Sequence, residues 1–144
     1  MTKKIYTIEK AIGFIIYRTA LAIRAAFQRT LKERRFDITP EQCGILHVLW
    51  DEEGLSQKEI GRILFKDKPN ISRMLDALER KGLIFRQPSD RRKYAVFLTS
   101  EGKRLIEEIL PIGQELIEKA TSGLLGREVE ALESNLNKIY ENLA

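Results

Sequence analysis

LSQKEIGRILFKDKPNISRMLDALERKGLIFRQPSDRRKYAVFLT, residues 55–99, changes its periodicity partway, and that change decides the fold. Ser56 and Glu59 stand three apart as a capping box, with Ile60, Ile63 and Leu64 following at helical spacing, so a short helix is predicted over about 56–65. After the tight link FKDK, Pro69 starts a second helix that stops at Gly82, a residue suited to the left-handed C-cap, with Leu83 placed to touch Leu78 in a Schellman arrangement. The period then falls to two. Ile84–Gln87 and Tyr94–Leu98 are short runs rich in β-branched and aromatic residues around the polar loop PSDRRK, which predicts a hairpin with a charged tip.

Helix, tight turn, helix and basic hairpin is the order of a winged helix-turn-helix, whose second helix enters the major groove of a duplex. On that second helix Ile71, Met74, Leu75 and Leu78 project to one side. Pro69, Arg73, Asp76 and Arg80 fall opposite, flanked by Asn70, Ser72 and Ala77. Arginine can bind guanine bidentately, asparagine can bind adenine, and serine can bind either. An ordinary solvated face would have Asp76 pair with Arg73 or Arg80 instead. Gln57 and Lys58 open the first helix, where exposed amides favour phosphate, and Lys68 and Pro69 open the second. Asp90, Arg91, Arg92 and Lys93 crowd the hairpin tip, from which a guanidinium can enter a narrow minor groove.

Charge follows the same division. Residues 55–99 hold 11 Lys/Arg against 5 Asp/Glu, residues 1–54 hold 9 against 7, and residues 100–144 hold 5 against 9. A basic middle beside an acidic end fits one surface that meets a polyanion and another that does not.

The flanks are helical. From Ile8, the residues Ile12, Ile15, Ile16, Thr19, Ala22, Ile23, Ala26 and Phe27 recur at spacings of three and four, predicting an amphipathic helix to about Arg35. Thr39, Pro40 and Gln42 start another through a capping box, with Leu46, Leu49 and Trp50 as its inner stripe. Thr99 caps a fifth helix carrying Leu105, Ile109, Ile112 and Leu116, in which Pro111 is expected to bend the axis or break a hydrogen bond. A sixth begins near Gly126, and Leu125, Val129, Leu132, Leu136, Ile139 and Leu143 form a heptad seam suited to another helix. The fold class is therefore mainly α with a small β-hairpin wing. Residues 37–99 are expected to form a DNA-binding lobe, with residues 1–36 and 100–144 as the helices outside it, and packing within one chain would also explain the seam.

Other chemistry finds little support. The apolar stretch Ala11–Tyr17 is broken by Arg18 and Arg24, and no run reaches membrane-spanning length, so a cytoplasmic protein is expected. Cys43 is the single cysteine and His47 the single histidine. They stand four apart on one helix, too few ligands for a metal site, and Cys43 is expected to behave as a small hydrophobe. Without a phosphate-binding loop or a metalloprotease motif, no enzyme and no cofactor are expected.

The segments LSQKEIGRIL, KPNISRMLDALERKGLI, SDRRK and YAVFLTSEG together resemble the multiple-antibiotic-resistance regulator (MarR) family, closely through residues 55–102. Elsewhere only the helix pattern and the start ITPEQ agree. The resemblance implies a homodimeric regulator, by expectation a repressor, on a pseudopalindromic operator in double-stranded DNA, with residues 1–36 and 100–144 as the dimerisation helices. It implies Asn70, Ser72 and Arg73 in the major groove and Arg92, braced by Asp90, in the minor groove. It also implies a small-molecule effector between the dimerisation helices and the lobe, where Phe14, Tyr17, His47 and Trp50 are the candidates. The family's peroxide-sensing members place their reactive cysteine in the first helix, and this first helix has none. The rival readings are an architectural DNA binder without sequence preference and a winged-helix protein-interaction module.

Overall fold

Six α-helices and one three-stranded antiparallel sheet make up residues 6–90 and 93–144, which are the residues described by the computed structural model. The helices are α1 (Ile12–Glu33), α2 (Pro40–Asp51), α3 (Gln57–Leu64), α4 (Lys68–Arg80), α5 (Ser100–Ala120) and α6 (Gly126–Leu143). Strands β1 (Leu55–Ser56), β2 (Ile84–Pro88) and β3 (Tyr94–Leu98) lie in the order β1-β3-β2. β1 escapes a sequence reading because two residues carry no period. It exists because Leu55 and Ser56 find Val96 and Ala95 on the free edge of β3.

The caps explain where the helices begin and end. Thr39 accepts from Gln42 N at 3.1 Å while the Gln42 side chain accepts from Thr39 N at 3.1 Å, a complete capping box. Ser56 accepts from Glu59 N at 3.2 Å, but the Glu59 carboxylate takes the serine hydroxyl at 3.1 Å, so only half of that predicted box forms. α4 starts at Lys68, one residue before the predicted Pro69, because the Asp67 carboxylate accepts from Asn70 N at 2.9 Å and serves as N-cap. Its C-terminus is the predicted Schellman motif. Gly82 has φ +73°, Leu83 N donates to Leu78 O at 3.0 Å, and Gly82 N donates to Glu79 O at 3.0 Å.

Two expectations for the flanking helices need correction. α1 begins at Ile12, since Ile8–Lys10 form a separate 3-10 turn and extended Ala11 interrupts the path. α5 runs through Pro111 as one helix that lacks a donor there, the lost hydrogen bond expected of proline, so what changes is its inner stripe. Pro111 is exposed, so its missing donor lies on the solvent side, and the buried stripe is Ile106, Ile109 and Ile112, with Leu105 and Leu116 only half-buried.

The core sits where α2, α3, α4 and the sheet meet α5. Leu46, Leu49, Ile60, Leu75, Leu78 and Val96 are fully buried there. Trp50, expected in the inner stripe of α2, is 41% exposed, and Cys43 and Ile45 fill the core instead. Arg24 of α1 clamps Glu41 of α2 through two contacts of 2.5 and 2.6 Å, and the guanidinium holds the Glu41 carboxyl below its ordinary value. No helix among the described residues is long and apolar enough to cross a membrane.

The junction between the sheet and α5 has no room for a side chain. A Cβ on Gly102 would lie 2.1 Å from the carbonyl oxygen of Leu83, the same oxygen that accepts from Thr99 N at 3.1 Å. Gly102→Ala is therefore expected to cost about 1–3 kcal/mol by overpacking, read as a lower thermal midpoint. Gly113→Ala on the same helix, where a Cβ meets nothing within 4 Å, is the control and should be neutral or stabilising. Equal effects of the two would refute the steric account.

Candidate nucleic-acid interface

Three side chains set the rotation of α4. Ile71, Leu75 and Leu78 are 1%, 0% and 0% exposed, and Met74 packs half-buried against the same core. A helix turns through 100° per residue, so this stripe forces Lys68, Pro69, Arg73, Asp76 and Arg80 into solvent, with Asn70 and Ser72 half-buried at the flank. Arg73 Nη2 donates to Asn70 Oδ1 at 3.1 Å. That bond pre-orients one edge of the guanidinium and leaves its other donors free, the arrangement a bidentate acceptor requires.

α3 stands across a tight turn from α4. Lys58 is exposed and Gln57 half-buried in its first turn, directly after the Ser56 cap. A cleft of about 790 Å³ lies between α3, the start of α4 and the sheet, with Lys58, Arg62, Lys66, Lys68 and Lys93 among its lining residues and Phe65, Ile71 and Val96 forming apolar wall. Arg62 and Lys66 were not among the contacts expected from sequence. The i+4 spacing of Arg62 from Lys58 is the signal that could have found it, whereas Lys66 lies past the end of α3, where helical spacing gives no face. Phe65 closes α3 in the left-handed region at φ 56° and meets Tyr140 of α6 edge-on at 5.9 Å.

The wing projects beside this surface. Asp90 and Lys93 are exposed, and Ser89 N donates to Lys93 O at 2.7 Å across the tip. Arg91 and Arg92 lie outside the described residues. Asp76 pairs with neither Arg73 nor Arg80. Its carboxylate takes Arg86 Nη2 of β2 at 2.5 Å, so the pairing joins α4 to the wing.

A second cleft, of about 820 Å³, separates α2 and α5 near the start of α6 and is walled by Phe27, Cys43, Ile109 and Ile117, with His47 and Gln114 as polar members. Of the four effector candidates, His47 lines this cleft. Tyr17 and Trp50 lie outside its lining and are 58% and 41% exposed, and Phe14, also outside it, carries Arg18 over its ring at 5.9 Å. Cys43 is 4% exposed, and burial pushes its thiol up to about 12. His47 Nε2 stands 3.9 Å from Asp51, and among the described residues no three His, Cys, Asp or Glu side chains gather as metal ligands do. A thiol held protonated and out of water is a poor nucleophile. Cys43 is expected to react with a thiol-specific disulfide reagent at pH 8 far more slowly in the folded chain than in denaturant. Rapid labelling of the folded chain would contradict this.

Comparison with known proteins agrees with this geometry. A profile of the MarR family matches residues 36–93. The HTH-type transcriptional regulator TtmR of Methylorubrum extorquens (strain PA1) is 36% identical over 101 residues, 69% of this chain and 51% of TtmR, so the matched region spans about half of that relative. The transcriptional regulator HosA of Escherichia coli O111:H- is 30% identical over 96 residues, 65% of this chain and 71% of HosA. Among solved structures, the transcriptional repressor CouR bound to a 23-mer DNA duplex superposes with a TM-score of 0.81 at 30% identity, covering 97% of this chain and 99% of that one. These relatives are transcriptional regulators, and CouR is bound to DNA in its structure.

Proposed function

The chain belongs to the MarR family, and we propose that it works as a homodimeric, sequence-specific transcriptional repressor on a pseudopalindromic operator. The outward face of α4 carries this reading: a dry stripe of Ile71, Leu75 and Leu78 behind, Arg73 in front, and Asn70 and Ser72 half-buried at its flank. In this reading those three side chains contact bases in the major groove. Gln57, Lys58 and Lys68 seat the lobe on phosphates, joined by Arg62 and Lys66, Pro69 abuts the duplex at the start of α4, and Asp90 and Lys93 flank Arg91 and Arg92, with Arg92 entering the minor groove. It is a binding protein, with no catalytic step.

Dimerisation is supported by apolar surface that one chain leaves uncovered. α6 buries no residue, with Leu132 46%, Leu136 39% and Leu143 85% exposed, and on α1 Ile12 and Leu21 are 66% and 49% exposed. Soluble monomers rarely expose contiguous patches of this kind. Residues 1–36 and 100–144 of two copies would cover each other and set the spacing of the two lobes. The cleft beside His47 is where an effector could alter that spacing.

Affinity for the operator and for random duplex across a salt series tests the reading, because a binder of backbone alone shows counterion release without a specificity ratio. Arg73→Ala should cost about 1–3 kcal/mol of operator affinity and relax discrimination at one base position. Lys58→Ala should weaken all sequences alike and lower the salt slope by about one. Equal affinity of the wild type for both duplexes would favour the architectural alternative, and no DNA binding at low salt the protein-interaction one.

Leu132→Asp or Leu136→Asp should yield folded monomers with weak operator binding, since a charge in a packed seam has no partner. Sedimentation reads the result, and intact dimers would move the interface elsewhere.

A further inference from the structure

Alternation along the wing puts Ile84 and Arg86 of β2 on the side of the sheet that faces the core, where Arg86 stands opposite Val96 in register. Ile84 is 2% and Val96 0% exposed, so this is an apolar face, yet it carries an arginine. Beyond Ile84, the residues Phe85, Gln87 and Pro88 are exposed, and only Arg86 keeps its side chain mostly covered, at 21% exposure.

The covered guanidinium is met by two carboxylates of α4. Nη2 donates to Asp76 Oδ1 at 2.5 Å, and Nε stands 3.8 Å from Glu79 Oε2, too far for a hydrogen bond. Nε is buried and finds no hydrogen-bond partner among the described residues. Nε is thus out of water while Asp76 is 50% exposed, so the guanidinium keeps its counter-ion at the rim of the apolar face. Phe85 and Phe97 stack at 5.4 Å, both on strands of the sheet, and so do not tie the hairpin to α4.

We propose that Arg86 is a positioning residue which, through Asp76, locks the outer half of the wing to α4 so that the two DNA-facing elements engage a duplex in one fixed register. This rests on the DNA-binding reading above and adds to it a residue that does its work without touching DNA. Two elements that read different grooves contribute together only if their separation is set before binding; otherwise the ordering of the hairpin opposes association. The same pair also occupies Asp76, a carboxylate on the face turned towards phosphate.

The proposal separates from a direct Arg86–phosphate contact by the sign of one substitution. Asp76→Asn removes a negative charge from the DNA-facing helix and frees Arg86. A phosphate contact predicts tighter binding, whereas a positioning role predicts weaker binding.

The test uses the full chain on the duplex that the wild type selects, with dimethyl sulfate reporting guanine N7 in the major groove and hydroxyl radicals reporting the minor groove. The wild type should protect both. Arg86→Gln and Asp76→Asn should each keep the N7 protection under α4, lose the minor-groove protection under the wing, and bind about tenfold more weakly. Melting temperatures accompany each measurement. Should Arg86→Gln unfold, Asp76→Asn and Arg86→Lys, which keep more of the packing, decide the matter by the same footprints. Tighter or unchanged binding by Asp76→Asn with both grooves protected overturns the proposal, as does equal loss in both grooves by variants that melt normally. A wild type that protects neither groove refutes the DNA-binding reading itself, and that outcome is distinct from variants that protect both.

Discussion

Burial of Ile71, Leu75 and Leu78 is the constraint on which the rest of the molecule depends. Each side chain removed from water contributes about 1.5–3 kcal/mol, and all three lie on one stripe of α4, so no other rotation of that helix keeps them dry. The outward face is therefore a consequence of the inward one. Arg73 is presented with its guanidinium partly ordered by Asn70, and Lys68 and Pro69 stand at the exposed start.

The core that receives this stripe also sets where the other elements go. α2 supplies Ile45, Leu46 and Leu49, α3 supplies Ile60, and the sheet supplies Ile84, Val96 and Leu98. The sheet then passes into α5 through Leu83, Thr99 and Gly102, where backbone comes so close to backbone that only glycine fits. This junction gives the hairpin a firm root. Its outer half has a different kind of anchor, an ion pair between Arg86 and Asp76, because apolar contact ends at Ile84 and Val96.

The lobe holds most of the buried core, although Ile63, Phe65 and Tyr94 stay exposed on it, whereas α6 buries nothing. α6 and the first half of α1 expose leucines and isoleucines at helical spacing, while the acidic balance of residues 100–144 sets that region apart from the basic lobe. Apolar stripes at helical spacing, left outside a complete core, match the proposed pairing of two chains.

Local chemistry was legible in the sequence because caps and periods act within a few residues. Thr39 with Gln42, Gly82 with Leu83, the alternation of the wing and the stripe of α4 could all be read without tertiary contacts, and with them the fold class and the face that carries Asn70, Ser72 and Arg73. What needed the tertiary structure depended on partners distant in the chain. β1 exists only because β3 offers an edge. Trp50 is displaced because Cys43 and Ile45 occupy the core. Asp76 turns to Arg86 rather than to Arg73 or Arg80, since a withdrawn guanidinium competes for a carboxylate more strongly than solvated neighbours do. The sequence by itself determined the six helices, the hairpin and which face of α4 looks outward, because local period and caps suffice for that. Only the tertiary structure decided how the wing is held to that helix, because an ion pair between two elements is specified by their placement in space.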